Sequence, residues 1–450
     1  MVENGIRAIF EPKSVVLIGC SEVRKADVHA VFFRSVVQAM QRFYKGKMHV
    51  VDLSGQLEDT SRDLKAMPKK LDLAVLVLQP KQALNCVRKL LDKSAVKAMV
   101  LISSGFTEDQ AEQLSRTAVK RGIRVLGPGI VGVVNTSNGL CLIPKLRAIP
   151  RRGAISFVVS GQGVGPAMVD WAHLHGIGVG KFAVTEDSID VGAVETMRYL
   201  AEEKGSRVIC VYAERASVDG RRFLQALREA SKQKPVVALG CDATRSALAR
   251  PSIWEGRIFS AALKQAGAVL AGNIQEFFDM AEALAKQPPL VSDSIAIVGS
   301  AEGLAMLAAE AVRREGFELA RLSEGVIKSI KRQYPDVCLD NTINLTPSAG
   351  ANCYRFVLGR VLKDPQVKGL MVITALDSCL LEPEEMRLLA DVAKNVREKP
   401  FVNVAIGGDW YMAVRDILRD TDIPVYDLPE RGATALRALR RYGKLIAERT

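Results

Sequence analysis

The stretch best equipped for chemistry runs from Gly153 to Trp171, GAISFVVSGQGVGPAMVDW. An apolar, β-branched run from Ile155 to Val159 suits a buried strand. The glycine-dense turn Ser160-Gly161-Gln162-Gly163 follows, and an amphipathic run through Met168 and Trp171 suits a helix. Strand, glycine loop and helix N-terminus together turn bare backbone N–H groups toward an anionic ligand. Glycine serves there because a side chain would block close approach. A tight turn in any parallel sheet shares this pattern, so the surroundings must decide. A second reactive group is Cys241, beside the end of the apolar run Lys234 to Gly240. A thiol in that position is either a nucleophile or a packed small hydrophobe.

The elements that must position these groups repeat one rhythm. Ser14 to Ile18, Met48 to Leu53, Leu71 to Leu78, Ala98 to Ser103 and Arg124 to Gly127 read as strands, and helical stretches such as Val28 to Phe43 separate them. Alternating strands and helices predict a doubly wound parallel sheet, whose ligands bind beyond the carboxyl ends of the strands. That rule gathers Gly19 and Ser21, Gln79 and Pro80, Ser103 and Gly105, and Gly127 and Pro128 around one crevice. A second round follows, with later strands at Ser206 to Tyr212 and Lys234 to Gly240. After the linker Pro288-Pro289, a third opens at Ser294 to Val298 and continues through Leu370 to Ala375, Pro400 to Ile406 and Ile423 to Tyr426. The domains expected are residues 1–150, 151–288 and 289–450.

Composition narrows the class. The 450 residues are 48% hydrophobic and 25% charged, values of an ordinary globular α/β protein. The formal net charge is +12, but Lys and Arg are spread along the chain with no basic tract interleaved with aromatics. This favours attraction to phosphate-bearing small molecules over nucleic acid binding. Eight cysteines without a Cys-x-x-Cys pair suit free thiols in a reducing cytoplasm rather than a disulfide framework or zinc site. No apolar run approaches the ~20 residues of a membrane span, and no signal-peptide pattern opens the chain. A soluble, cytoplasmic protein without a metal site is expected.

Across nearly its whole length the chain resembles the α subunit of NDP-forming acyl-CoA synthetases, the ADP-forming acetate–CoA ligases related to succinyl-CoA synthetase. The residues carrying the resemblance include Ser14 to Gly19, Tyr44-Lys45-Gly46-Lys47, Ile102 to Phe106, Leu126-Gly127-Pro128, Asp170-Trp171 and Gly176-Ile177-Gly178. They continue through Asp219 to Phe223, Ile423 to Tyr426 and Pro429-Glu430-Arg431. The resemblance implies a Rossmann-like CoA-binding domain followed by two flavodoxin-like, succinyl-CoA synthetase-like α/β domains. It also implies a reaction in which acyl-CoA, ADP and phosphate become acid, CoA and ATP through a phosphorylated histidine. Coenzyme A would be this chain's cofactor. ATP or ADP and magnesium would enter only through a partner, an ATP-grasp β subunit in a homo- or hetero-oligomer.

Departures fall on the working parts of the family pattern. The brackets of its histidine loop stand at Lys234 to Val237 and Gln265 to Gly267, but the stretch between them contains no histidine. Glu214 matches the acidic residue that the resemblance assigns to holding the phosphohistidine; with no histidine present, a strand-end surface carboxylate is the equal alternative. The first loop lacks the family's glycines, although Arg24 and Lys25 remain to pair with CoA phosphates. An acidic patch at residues 186–190 is expected to repel phosphate. Three functions follow: a ligase α subunit, a catalytically silent CoA- or nucleotide-binding regulatory or scaffold protein, or an acyl- or carbamoyl-transfer enzyme using Cys241.

Overall fold

The computed structural model describes residues 2–22, 27–65, 67–129, 132–161, 163–185, 188–214, 220–241, 253–375, 380–394 and 396–449. The chain forms two compact units, 1–270 and 271–450.

The first unit opens with α1 (Val2–Phe10). Then β1 (Ser14–Gly19), α2 (Val28–Phe43), β2 (Lys47–Asp52), β3 (Lys70–Val77), α3 (Pro80–Lys93), β4 (Ala95–Ile102), α4 (Glu108–Arg121) and β5 (Arg124–Gly129) follow. Their strands make a parallel sheet in the order β2-β1-β3-β4-β5. Continuous runs such as Val15 to Ile18 and Leu73 to Val77 are buried because helices cover both faces. Ile6, Phe33, Val36 and Met40 from α1 and α2 pack on one face. Val87 and Leu90 of α3 and Leu114 and Ala118 of α4 pack on the other. Gly19 permits the close seat of α2: a Cβ there would lie 2.2 Å from the Phe33 ring.

The second sheet begins with β6 (Gly132–Asn135) and β7 (Leu140–Cys141). It continues through β8 (Arg152–Ser160), α5 (Val164–Leu174), β9 (Val179–Thr185), α6 (Ala193–Glu202), β10 (Val208–Glu214), α7 (Gly220–Gln233), β11 (Val236–Cys241), α8 (Ile253–Gln265) and β12 (Val269–Leu270). The order is β12-β11-β10-β8-β9-β6-β7. Its five central and outer strands run parallel, whereas β6 is antiparallel to β9 and β7 to β6. The chain therefore changes sheets between Gly129 and Gly132. Buried Asn135 and its neighbour Asn138 both donate to the Phe10 carbonyl, fastening the hairpin to the end of α1. Lys181 of β9, only 7% exposed, bridges Glu11 after α1 and Glu203 after α6, each at 3.1 Å.

The second unit contains α9 (Ile274–Lys286), β13 (Ser294–Gly299), α10 (Glu302–Arg314), β14 (Glu318–Leu319), α11 (Glu324–Gln333), β15 (Cys338–Leu339), β16 (Ile343–Asn344) and α12 (Ala351–Lys363). It ends with β17 (Gly369–Ala375), α13 (Arg387–Ala393), β18 (Phe401–Ile406), α14 (Gly408–Leu418), β19 (Val425–Tyr426) and α15 (Pro429–Ala447). The strand order is β15-β16-β13-β17-β18-β19, with β14 also on β13. The Pro429-Glu430-Arg431 stretch starts α15, and Arg431 grips Asp279 of α9 with two hydrogen bonds of 2.6 and 2.9 Å. Burial opposes the guanidinium's charge, but the bonds and charges of Asp279 and Asp427 more than offset it and raise its pKa. Removing only the arginine strands a buried carboxylate. Arg431→Met is expected to destabilise the protein by about 3–5 kcal/mol in urea unfolding, and Asp279→Leu combined with it to recover most of the loss.

Candidate functional site

Each parallel core repeats the order two-one-three-four-five, so its crevice opens between its first and third strands. In the first sheet this is the gap between the ends of β1 and β3, and the dominant group beside it is Asp52, at the end of β2. Asp52 is fully buried. Its Oδ1 accepts from the Ser21 N–H at 2.9 Å and the Ser54 hydroxyl at 2.7 Å. Its Oδ2 accepts from the Ser21 hydroxyl at 2.6 Å and from the N–H groups of Gln56 and Leu57 at 2.9 and 3.0 Å. Burial alone would push this carboxyl up; the hydrogen bonds from Ser21, Ser54 and Leu57 hold it well below the usual carboxylate range. In dinucleotide-binding folds an acid at this strand end reaches a ribose hydroxyl. Here the acid is committed to its own loop.

The expected residues therefore take different parts. Ser21 is turned inward onto Asp52, and its carbonyl accepts from Arg34 Nε at 2.8 Å. Ser103 is buried, its hydroxyl accepting from the Leu78 N–H at 3.2 Å. Gln79 and Pro80 start α3, and Gly105, with φ +84°, lies next to the Pro80 ring. Gly127 and Pro128 are joined by a cis peptide at the end of β5. Arg24 and Lys25 lie outside the described residues. Asp52, Ser54 and Arg34 were not singled out in the sequence; an acid closing the Val50-Val51 strand was the available signal for the first, and Arg34 had none.

The segment after β9 joins this crevice to the second one. The Gly127 N–H donates to the Ser188 hydroxyl at 3.0 Å, and the Ile189 N–H donates to the Gly127 carbonyl at 3.2 Å. The Val191 N–H donates to the Val125 carbonyl at 2.8 Å. Asp190 accepts from Arg124 Nε at 2.8 Å and from the Val125 N–H at 2.8 Å. This corrects the expectation of a repelling acidic patch as far as Asp190 is concerned: its charge is paired with Arg124 and serves as an anchor. Glu186 and Asp187 lie outside the described residues.

At the second crevice four neighbouring strand ends carry Thr185, Ser160, Glu214 and Cys241, since Ser160 is in register with Thr185 and with Ala213, and Glu214 with Cys241. The Ser160 and Thr185 hydroxyl oxygens are 3.4 Å apart. Glu214 accepts from the Tyr212 hydroxyl at 3.3 Å and leans over the glycine loop. A Cβ on Gly161 would lie 2.4 Å from Glu214 Oε1, and Gly161 has φ +150°. Gly163, with φ +80°, is the N-cap of α5 and has no side chain with which to bond the first-turn N–H groups. Gln162, the Cys241 side chain and residues 242–252 lie outside the described residues. Elsewhere Cys86 and Cys141 are buried, and burial pushes their thiols up to about 12 and about 11.

This geometry makes the chain a succession of doubly wound α/β sheets with ligand crevices at the strand ends. Residues 152–284 match the succinyl-CoA ligase like flavodoxin domain. Over 98% of its length the chain is 29% identical to the α subunit of acetate–CoA ligase [ADP-forming] I of Pyrococcus furiosus, covering 99% of that protein. It is 26% identical to the 4-hydroxybutyrate–CoA ligase [ADP-forming] of Nitrosopumilus maritimus, over 97% of this chain and 64% of that one. Among solved structures, PH0766 from Pyrococcus horikoshii OT3 superposes with a TM-score of 0.86 at 26% identity, covering 98% of this chain and 99% of that one. A dinucleotide-forming acetyl-coenzyme A synthetase 1 of Ca. Korarchaeum cryptofilum shares the fold, with a TM-score of 0.84 at 22% identity over 99% of this chain and 98% of that one. From end to end the chain is thus similar to α subunits of ADP-forming acetate–CoA ligases, and its middle part carries the succinyl-CoA ligase like flavodoxin domain.

Two substitutions test these crevices. Asp52→Asn should cost about 3 kcal/mol in thermal or urea unfolding at neutral pH, because it removes charge-assisted hydrogen bonds. Asp52's own contribution is present above the ordinary carboxylate pKa of ~4 and is lost as pH falls through its depressed native value, so the wild-type advantage should shrink in acid. Gly161→Ala should cost about 1–3 kcal/mol and displace Glu214, read by calorimetry and a crystal structure of the variant.

Proposed function

We propose that this protein is a CoA-binding α subunit of an acyl-CoA synthetase that does not relay phosphate through its own histidine. The observation carrying the reading is end-to-end similarity to proteins named as acetate–CoA ligase α subunits, combined with a stretch between Lys234-Val237 and Gln265-Gly267 that contains no histidine. The first-sheet crevice, bounded by Gln79, Ser103, Gly105, Gly127 and Pro128, takes CoA; Arg24 and Lys25 pair with its phosphates. In the second crevice, Ser160 to Gly163 and the bare start of α5 offer N–H groups to an anion, with Glu214 at its edge. Arginine and serine, which occupy the altered loop, lack the imidazole nitrogen that forms a phosphoramidate. ATP or ADP and magnesium are met on an ATP-grasp β subunit, and the assembly works in the cytoplasm.

Titration calorimetry should register CoA binding to the isolated chain; no binding overturns the reading of the first crevice. Incubation with labelled ATP, magnesium and an ATP-grasp subunit should leave no acid-labile phosphate on this chain. Phosphohistidine at His29, His49, His173 or His175 would overturn the absence of relay. Cys241→Ser should leave CoA binding unchanged; loss of an acyl-transfer activity in that variant would instead favour a thiol-dependent transferase.

A further inference from the structure

A carboxylate beside the first crevice joins two helix starts. Asp27 is the N-cap of α2, and its Oδ1 accepts from the His29 N–H at 3.0 Å and lies 3.2 Å from His29 Nδ1. Its Oδ2 accepts from Gln79 Nε2 at 3.3 Å. Gln79 is the N-cap of α3. One carboxylate therefore links the starts of the helices that follow β1 and β3, the adjacent strands where the ligand crevice of this topology opens. A carboxylate facing Nδ1 fixes the tautomer with its proton on Nδ1, leaving a lone pair on Nε2. That Nε2 is shut off from solvent and has no hydrogen-bond partner among the described residues. Buried acceptors are paired in the great majority of proteins, because an orphan forfeits its hydration without return. The geometry supplies everything needed to orient the imidazole except the group it receives.

We propose that His29 Nε2 accepts a hydrogen bond from an N–H or O–H donor of the ligand held in the first crevice. Asp27 fixes the tautomer and Gln79 fixes Asp27. This rests on the reading of that crevice as a CoA site. In a CoA-type ligand the donors of this class are the adenine amine and ribose hydroxyl at one end and the pantetheine amides and hydroxyl at the other. No covalent step is involved; the histidine is a recognition residue.

The test compares wild type, His29→Leu and His29→Gln by titration calorimetry with CoA, ADP and pantetheine, alongside thermal melting without ligand. His29→Leu should weaken CoA binding about tenfold, the loss of one hydrogen bond, while the melting curve without ligand separates that loss from any destabilisation caused by removing the Nδ1 contact with Asp27. His29→Gln, which keeps an acceptor, should recover part of the affinity. Whichever of ADP or pantetheine weakens together with CoA carries the donor. Wild-type affinity of His29→Leu for all three probes overturns this inference alone. Wild-type protein that binds none of them overturns the CoA reading and this inference with it. Should His29→Leu not fold, the ¹⁵N resonance of Nε2 in histidine-labelled wild type decides: it shifts on CoA addition if the bond forms, and an unmoved resonance during demonstrated binding overturns the proposal.

Discussion

A parallel sheet covered by helices on both faces can place chemistry only where its strands end. Everything between the ends is shielded, and its backbone is consumed by the ladders. This constraint acts three times along the chain, and at each round the first and third strands lie side by side. At the first such gap the neighbouring acid, Asp52, is spent on holding its own loop, so a ligand there meets helix starts and the side chains around them. At the second, Glu214 is brought over the Gly161 loop by the register of β8 and β10. One solution to the burial problem thus yields two unlike sites.

The two crevices of the first unit are linked along the chain by the segment after β9. Thr185 sits at the second, and three residues later Ser188 is bonded to Gly127 at the edge of the first. Residues 188–191 lie along β5 with hydrogen bonds at Val125 and Gly127, and Val191 enters the core beneath the first sheet. The ion pair of Arg124 with Asp190 pins this segment at the start of β5, away from the strand's crevice end.

Much of this was legible in the sequence. Strands buried on both faces must be apolar along their whole length, so runs such as Ser14 to Ile18 and Leu370 to Ala375 announce themselves, and the glycine loop after Val159 marks a strand-to-helix turn. What escaped depends on partners distant in the chain. Arg124 and Asp190 are separated by 66 residues, and nothing local to either names the other. The meeting of Gly161 with Glu214 requires strand register, which periodicity does not supply. Asp52 looks like a strand-end acid available to a ligand, and only the positions of Ser21, Ser54, Gln56 and Leu57 reveal that its valences are filled. The Pro429-Glu430-Arg431 stretch was visible as a motif, but its arginine's partner lies on another helix.

The hairpin of β6 and β7 has a consequence for how the chain is made. It precedes the linker into β8, yet among the described residues its one sheet partner beyond the hairpin itself is β9, through the pairing of Gly132 to Asn135 with Lys181 to Val184. As the polypeptide emerges from the ribosome, the first five strands can close into a sheet while the hairpin, which ends at Cys141, still waits with a bare edge for the chain to reach Lys181 to Val184. Val133 and Leu140 pack into the core beneath the first sheet, so that core offers the hairpin a seat before β9 exists. The first sheet thus acts as a template on which the second is begun, and the two are better regarded as successive stages of one folding unit than as beads on a string.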